Sequence, residues 1–518
     1  MTSKMSLALV GALVSVAVLS GCLTNEPLPL SQLSTQVEAT ENEFQLTFRP
    51  HVILNATANE TVAPAALSDP SVLPRAVEQL VNGGGAEPNI GVTKKNSVFV
   101  TTFDEVRRSR DHGKTWQIVH EFTTPRVPVT EDRWDTADPM LWVDPITDRV
   151  FVSHMHPAVA CQYLAWSDND GDTWTERPFA CTAPVPYTFD HQKIMTAKHG
   201  PKALPIPAPV YPTVFYLCYN AILKEGTWCD VSFDGGLTFT WSRLVLAESR
   251  CGSINGHPAA FPDGTVVVPG GSFGNCKREV EVAVTEDNGF TWSTRRCAPG
   301  YSQTEIDPDI TVTPDGTAYM LFRDDEHIHL LRTKDKFQTC DVFRISPQDH
   351  VKSVFTVITS GDNGRIAMAY LASRDPQDPE IPSHPGTVWP GTNWHLYVTT
   401  SYDADAENPT FVTQMVSPEE DPIQVGCVWL NGGGGGPKRC RNLLDFMDMT
   451  RDQDGRFYVA FTDGCTPRNG CTAQPFQTDF QSRDMEIGVA IMDSGLSLFA
   501  DKGVLSTLGL EHPKPLPR

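Results

Sequence analysis

Acidic and imidazole side chains recur at the head of apolar segments throughout this chain. They occur in Glu87-Pro-Asn89, Asp138-Pro139, Asp190-His191, Gly256-His257-Pro258, Asp307-Pro-Asp309 and Asp445-Phe-Met-Asp448, with Lys352-Ser353 in a comparable place. Carboxylates grouped with imidazoles can exchange protons with a substrate, or hold a hard cation such as Ca²⁺. Crowding would also displace their pKa values, as at working sites. The same side chains are equally suited to capping the first residues of a strand by accepting backbone N–H groups. On the first reading Asp138, Asp190, His191 and Asp309 are the candidate catalytic groups. Glu87, Asn89, His257, Asp307, Arg323, Arg441, Asp445 and Asp448 are then candidate ligand-binding groups. His154 and His156 have metal-pair spacing on a strand, but a satisfied surface or channel pair fits them better. Trp134, Trp389 and Trp394 suit either stacking on sugar rings or burial.

These groups come together only if a repeated scaffold delivers them to one place. Such a repeat exists. Ser109-Arg-Asp111-His-Gly113-Lys-Thr115-Trp116 is echoed at Ser167–Trp174, Ser232–Phe239 and Thr285–Trp292, and a worn copy runs from Thr333 to Cys340. Asp and Gly favour a tight hairpin turn, the carboxylate accepts the turn's N–H groups, and the aromatic covers the sheet below. The openings at 87, 138, 190, 257, 309, 353 and 445 are spaced about one propeller blade apart. Turn signals such as Pro262-Asp-Gly264 and Pro314-Asp-Gly316 mark second strands. An all-β propeller of seven blades is predicted, with a six-bladed ring as the alternative. The innermost strand of each blade would begin at one mouth of a shared axial channel.

The boxes make the chain resemble the sialidase-like, Asp-box (BNR repeat) superfamily, most densely over 87–300 and more weakly to about 505. That resemblance implies a propeller that binds an extracellular glycan or other ligand at the channel mouth. An exo-α-sialidase-like glycoside hydrolase is the alternative it offers to a binding protein. A sialidase needs three arginines for the substrate carboxylate, a Tyr–Glu pair and an Asp acid/base. The arginine motif is represented only by Phe48-Arg49-Pro50, without its Ile, and Arg323, Arg365 and Arg441 fit no sialidase spacing. Binding without turnover is therefore favoured.

Lys4 followed by the apolar stretch Leu7–Leu19 and by Leu19-Ser20-Gly21-Cys22 reads as a lipoprotein signal over 1–21, with Cys22 as the lipid attachment site. Residues 22–80 read as a tether holding a ring-closing strand near 44–54, and 81–510 as the propeller. Removing Cys22 from the thirteen cysteines leaves an even number, as an oxidising compartment favours. Neighbours in sequence suggest Cys161–Cys181, Cys218–Cys229, Cys251–Cys276, Cys297–Cys340, Cys427–Cys440 and Cys465–Cys471, although spacing alone leaves the connectivity open. With 63 acidic against 41 basic residues, the net charge of −22 argues against nucleic acid and against anionic membrane surfaces. Membrane contact is expected through the lipid alone, and a monomer on the cell surface or outer membrane of a prokaryote is expected.

Overall fold

The computed structural model describes residues 52–55, 72–85, 87–122, 138–155, 162–178, 189–205, 210–221, 226–247, 254–272, 277–324, 327–375, 393–425, 428, 443, 447–466 and 485–513. Seven sheets of four to six strands follow one another along them, antiparallel except for one parallel strand at the edge of the sixth, with a separate two-stranded ladder between Arg278–Glu279 and Ser302–Gln303. Their innermost strands are Ile90–Val92, Met140–Val143, Phe189–Ala197, Ala259–Ala260, Asp309–Val312, Lys352–Ser360 and Asp448–Arg451, which begin blades 1 to 7. Each inner strand contacts the next and the seventh returns to the first, so the ring is closed around one axis. Closure removes the exposed sheet edges that an open stack would present at its ends.

The axis is crowded, and the sequence shows it. At Gly91 a Cβ would stand 2.6 Å from Leu141 Cδ2 and 2.7 Å from Val143 Cγ2 of the next blade. Apolar residues fill the space between blades. Phe99, Phe151, Phe215 and Phe322 are fully buried on second strands, as alternation of β-branched and aromatic residues on two-faced sheets requires.

The boxes sit between the third and fourth strands of their blades. In blade 3, Ser232 Oγ accepts the Gly236 N–H at 2.9 Å, while Asp234 accepts Thr238 N–H at 2.8 Å and Thr238 Oγ–H at 2.6 Å. The box glycines carry φ near +80° and pack on the preceding blade, Gly113 on Ile491 and Gly171 on Phe99. Both demands exclude a side chain there. The worn copy forms the same turn, with Phe337 accepting a φ of 65° in place of glycine. Blade 6 carries a further box absent from the sequence reading. Ser401 Oγ–H donates to Asp403 at 3.1 Å, and Asp403 accepts Thr410 N–H at 2.8 Å across a longer turn.

The ring closes differently from the expectation. Arg75–Gly84, read from the sequence mostly as tether, is the outermost strand of blade 7 and pairs antiparallel with Glu486–Leu496. Val52–Asn55 instead adds in parallel to Thr410–Met415 at the rim of blade 6. Phe44–Phe48 lies outside the described residues. Cys218–Cys229 joins paired strands of blade 3, and Cys297–Cys340 links the ends of blades 4 and 5. Cys465 is also disulfide-bonded, and the remaining proposed pairings involve residues outside those described. These bridges indicate an oxidising, extracellular setting. Among the described residues no helix is long and apolar enough to cross a membrane.

Candidate functional site

A cavity of about 490 Å³ follows the axis and receives residues from all seven inner strands. At the end where those strands begin, polar side chains reach from blade to blade. Asn89 Oδ1 accepts Leu141 N–H at 3.3 Å, Asp309 Oδ2 accepts Ile358 N–H at 2.8 Å, and Asp448 Oδ2 accepts Ile90 N–H at 2.9 Å. In each case the leading side chain of one blade holds the inner strand of the next, at its start in blades 1 and 2 and past the bulge in blade 6. The capping role foreseen for these groups is thus real, and it acts between blades.

Blades 3, 4 and 5 add a charged cluster. His191 Nδ1 lies 3.1 Å from Asp307 Oδ2, Lys193 Nζ 3.3 Å from Asp307 Oδ1, and His257 Nδ1 3.8 Å from Asp309 Oδ1. Bulges place two of these blade origins. The register of blade 3 slips between Asp190 and Lys193, that of blade 6 between Val354 and Val357, and His191 and Phe355 take φ values of 47° and 59°. A bulge re-aims the side chains that follow it, which is how Lys193 comes to face the axis from mid-strand.

Burial sets the charge states. It would push the Asp307 carboxyl up, but Lys193 first and then His191 draw it down to about 2, so it is ionised. Burial, reinforced by the Lys193 charge, brings His257 down to about 3 and leaves it neutral. For Asp309 burial dominates over the Ile358 N–H bond and raises the carboxyl well above its ordinary value. Asp448 rises to about 7 by burial, against the N–H bonds of Ile90 and Met449. The cluster therefore combines a buried Lys193–Asp307 pair, a neutral imidazole and two carboxyls pushed upward by burial, drawn from blades 3, 4, 5 and 7.

The other candidates fall in several places. Glu87 and Asp138 are buried near the same strand origins, and the Asp138 carbonyl accepts the Gln192 amide. Asp190 stands opposite Asn220 on the blade 3 ladder and does not line the cavity. Arg323 lies 3.6 Å from Glu305 and donates to Thr304 O at 2.8 Å. Arg365 donates to Ser497 O at the rim. His154 is stacked between Phe122 and Tyr163, and Trp394 is fully buried in a blade core. Cys22, Arg49, Trp134, His156, Trp389, Arg441 and Asp445 lie outside the described residues. Sequence reading missed Lys193, whose only signal is the bulge beside it.

These residues do not suit Ca²⁺, which takes about six to eight oxygens. Asp307 already faces Lys193 and His191, while Asp309 and Asp448 accept backbone N–H groups. Among the described residues no three His, Cys, Asp or Glu side chains are arranged to hold a metal ion. The described arginine lining the cavity, Arg451, is at its far end and donates to Ser360 O.

Blades, box turns and axial channel together define a seven-bladed β-propeller with Asp-box turns. Residues 213–377 match the family described as a BNR repeat-like domain. By structure the chain is similar to a protein of unknown function from Dyadobacter fermentans, at 11% identity and TM-score 0.41, covering 82% of this chain and 99% of that one. It is similar also to a phage phi92 endosialidase, at 11% identity and TM-score 0.41, with 81% and 69% covered. For a Hadza microbial sialidase the values are 17% identity and TM-score 0.37, with 56% and 64% covered. No curated protein matches the sequence.

Proposed function

We propose that this protein is a lipid-anchored cell-surface propeller that holds an extracellular glycan, without turnover, at the end of the channel where the inner strands begin. One observation carries the reading. Lys193, His257, Asp309 and Asp448, from four different blades, meet on a cavity of about 490 Å³, a size suited to one or two sugar rings. Donors and acceptors interleaved around an apolar wall suit hydroxyl-rich ligands. Fold likeness alone does not assign chemistry, so the site has to be tested directly. A glycan array probed with the exported protein should give binding with no released sugar, and His257→Ala should abolish it without lowering Tm. Silence across the array, or product formation, would overturn the reading. Anchoring through Cys22 predicts that Cys22→Ser moves the protein from the membrane fraction to the medium.

Hydrolysis remains the second reading, favoured by one feature. Asp307 and Asp309, two residues apart, are driven in opposite directions, Asp307 down to about 2 by Lys193 and His191 against burial and Asp309 upward by burial, the divergence an acid–base pair needs. Release of reducing sugar that disappears in Asp309→Asn would establish it.

A further inference from the structure

The ring is completed by a strand from before blade 1, and one residue of that strand is unusual. Glu78 on Arg75–Gly84 is 2% exposed. Its carboxyl lies over Gly488, where a Cβ would stand 2.8 Å from Glu78 Oε1 and 2.6 Å from Phe461 Cζ. Glycine at 488 thus makes the room that Glu78 occupies. Around it stand Asp463 at the end of Phe457–Asp463, Glu486 directly opposite Asp463 on the neighbouring strand, Asp421 from the segment before blade 7, and His512 from the C-terminal segment. His512 Nε2 is 3.4 Å from Glu78 Oε2, and its Nδ1 is 3.9 Å from Asp421 Oδ2. Asp463 Oδ1 accepts Cys465 N–H at 2.7 Å. Glu78 Oε1, buried, has no hydrogen-bond donor; His512 approaches the other oxygen, Oε2, and the Asp463 carboxyl is hydrogen-bonded to the Glu78 side chain.

Two carboxyls in contact cannot both be ionised out of water, and a hydrogen bond between them needs one proton. We propose that Glu78 and Asp463 share a proton that locks the closing strand onto blade 7, making ring closure an acid-tightened, alkali-loosened latch. Nothing else reaches Glu78 Oε1 with a donor, and the described carboxylates here form no metal site. Titration agrees with the geometry. Burial first, then the Asp463 charge, pushes Glu78 well above the carboxylate range, and burial brings Asp463 to about 7. Groups raised in this way stabilise the closed form below their unfolded values, and that contribution is lost as pH rises through the folded value.

The test is hydrogen exchange of peptides covering 75–84 in the full chain, corrected for intrinsic rates, at pH 6 and pH 8.5. One group with a folded pKa of about 7 implies that protection falls by about 10-fold over this interval in the wild type, most of it below pH 8. Glu78→Gln, which mimics the protonated partner, should hold its protection across the interval, and Asp463→Asn should do likewise. A wild-type strand equally protected at both pH values would overturn the latch, as would variants that keep the wild-type slope. So would a Ca²⁺-induced, EDTA-reversed rise in protection at pH 8.5 that needs Glu78, because a metal would then fill the role given to the proton.

Discussion

Replacing Lys193 by Met tests whether the axial cluster is a paired network joining blades 3 and 5. Lys193 and Asp307 are 1% and 3% exposed in their side chains, with 3.3 Å between Nζ and Oδ1. At an effective dielectric of about 20 a contact of that length is worth roughly 5 kcal/mol. The descent of Asp307 from 3.8 to about 2 corresponds to only about 2.4 kcal/mol, since burial opposes the cations. We take the smaller figure as the floor, because it already includes desolvation. Removing the ammonium leaves Asp307 buried with His191 as its remaining imidazole partner, so Lys193→Met should cost about 3 kcal/mol in urea unfolding at pH 7. A depressed carboxylate gives stability above its unfolded value that is lost as pH falls through its folded value. With Lys193 gone that contribution is missing, so the gap between variant and wild type should hold down to about pH 4 and narrow from there toward about pH 2. Lys193→Met combined with Asp307→Leu should recover most of the loss, with a coupling of about 2 kcal/mol or more. A single-variant cost under about 1 kcal/mol, or strict additivity in the cycle, would refute the pairing.

Asp403→Ala should cost about 2 kcal/mol in urea unfolding, as should Asp234→Ala, if the Ser401–Thr410 turn is a true box; an unaffected Asp403→Ala would make it an ordinary loop. Gly113→Ala meets both a φ of +83° and the Ile491 side chain, so a loss of about 3 kcal/mol or more is expected by thermal unfolding. On a glycan array, uncharged saccharides should outscore sialylated ones, because the Lys193 ammonium is already matched by Asp307.

Much of the scaffold was legible because its signals are local. Ser or Thr, Asp, Gly and an aromatic at fixed offsets define a turn by their own hydrogen bonds, and five such turns appear where the sequence places them. The sixth escaped because Thr410 stands seven residues after Asp403 instead of four. Blade origins were legible as well, since Asn89, His257, Asp309 and Asp448 all reach the channel. Lys193 was not, because strand alternation carries no record of a bulge, and a one-residue slip reverses which side chains face the axis. The closing strand was hidden for a different reason. Its partner lies more than four hundred residues away, as the Arg75–Asp493 separation of 418 shows, and no local pattern reports a distant ladder.

That same separation bears on how the molecule is made. Arg75–Gly84 leaves the ribosome among the first described segments, whereas Glu486–Leu496, which receives it, is among the last. Six sheets are able to form from neighbouring segments as synthesis proceeds, but the seventh stays one strand short until nearly the whole chain has been made. That strand must therefore wait unpaired until its partner is made, and completion of the ring becomes a late, slow event.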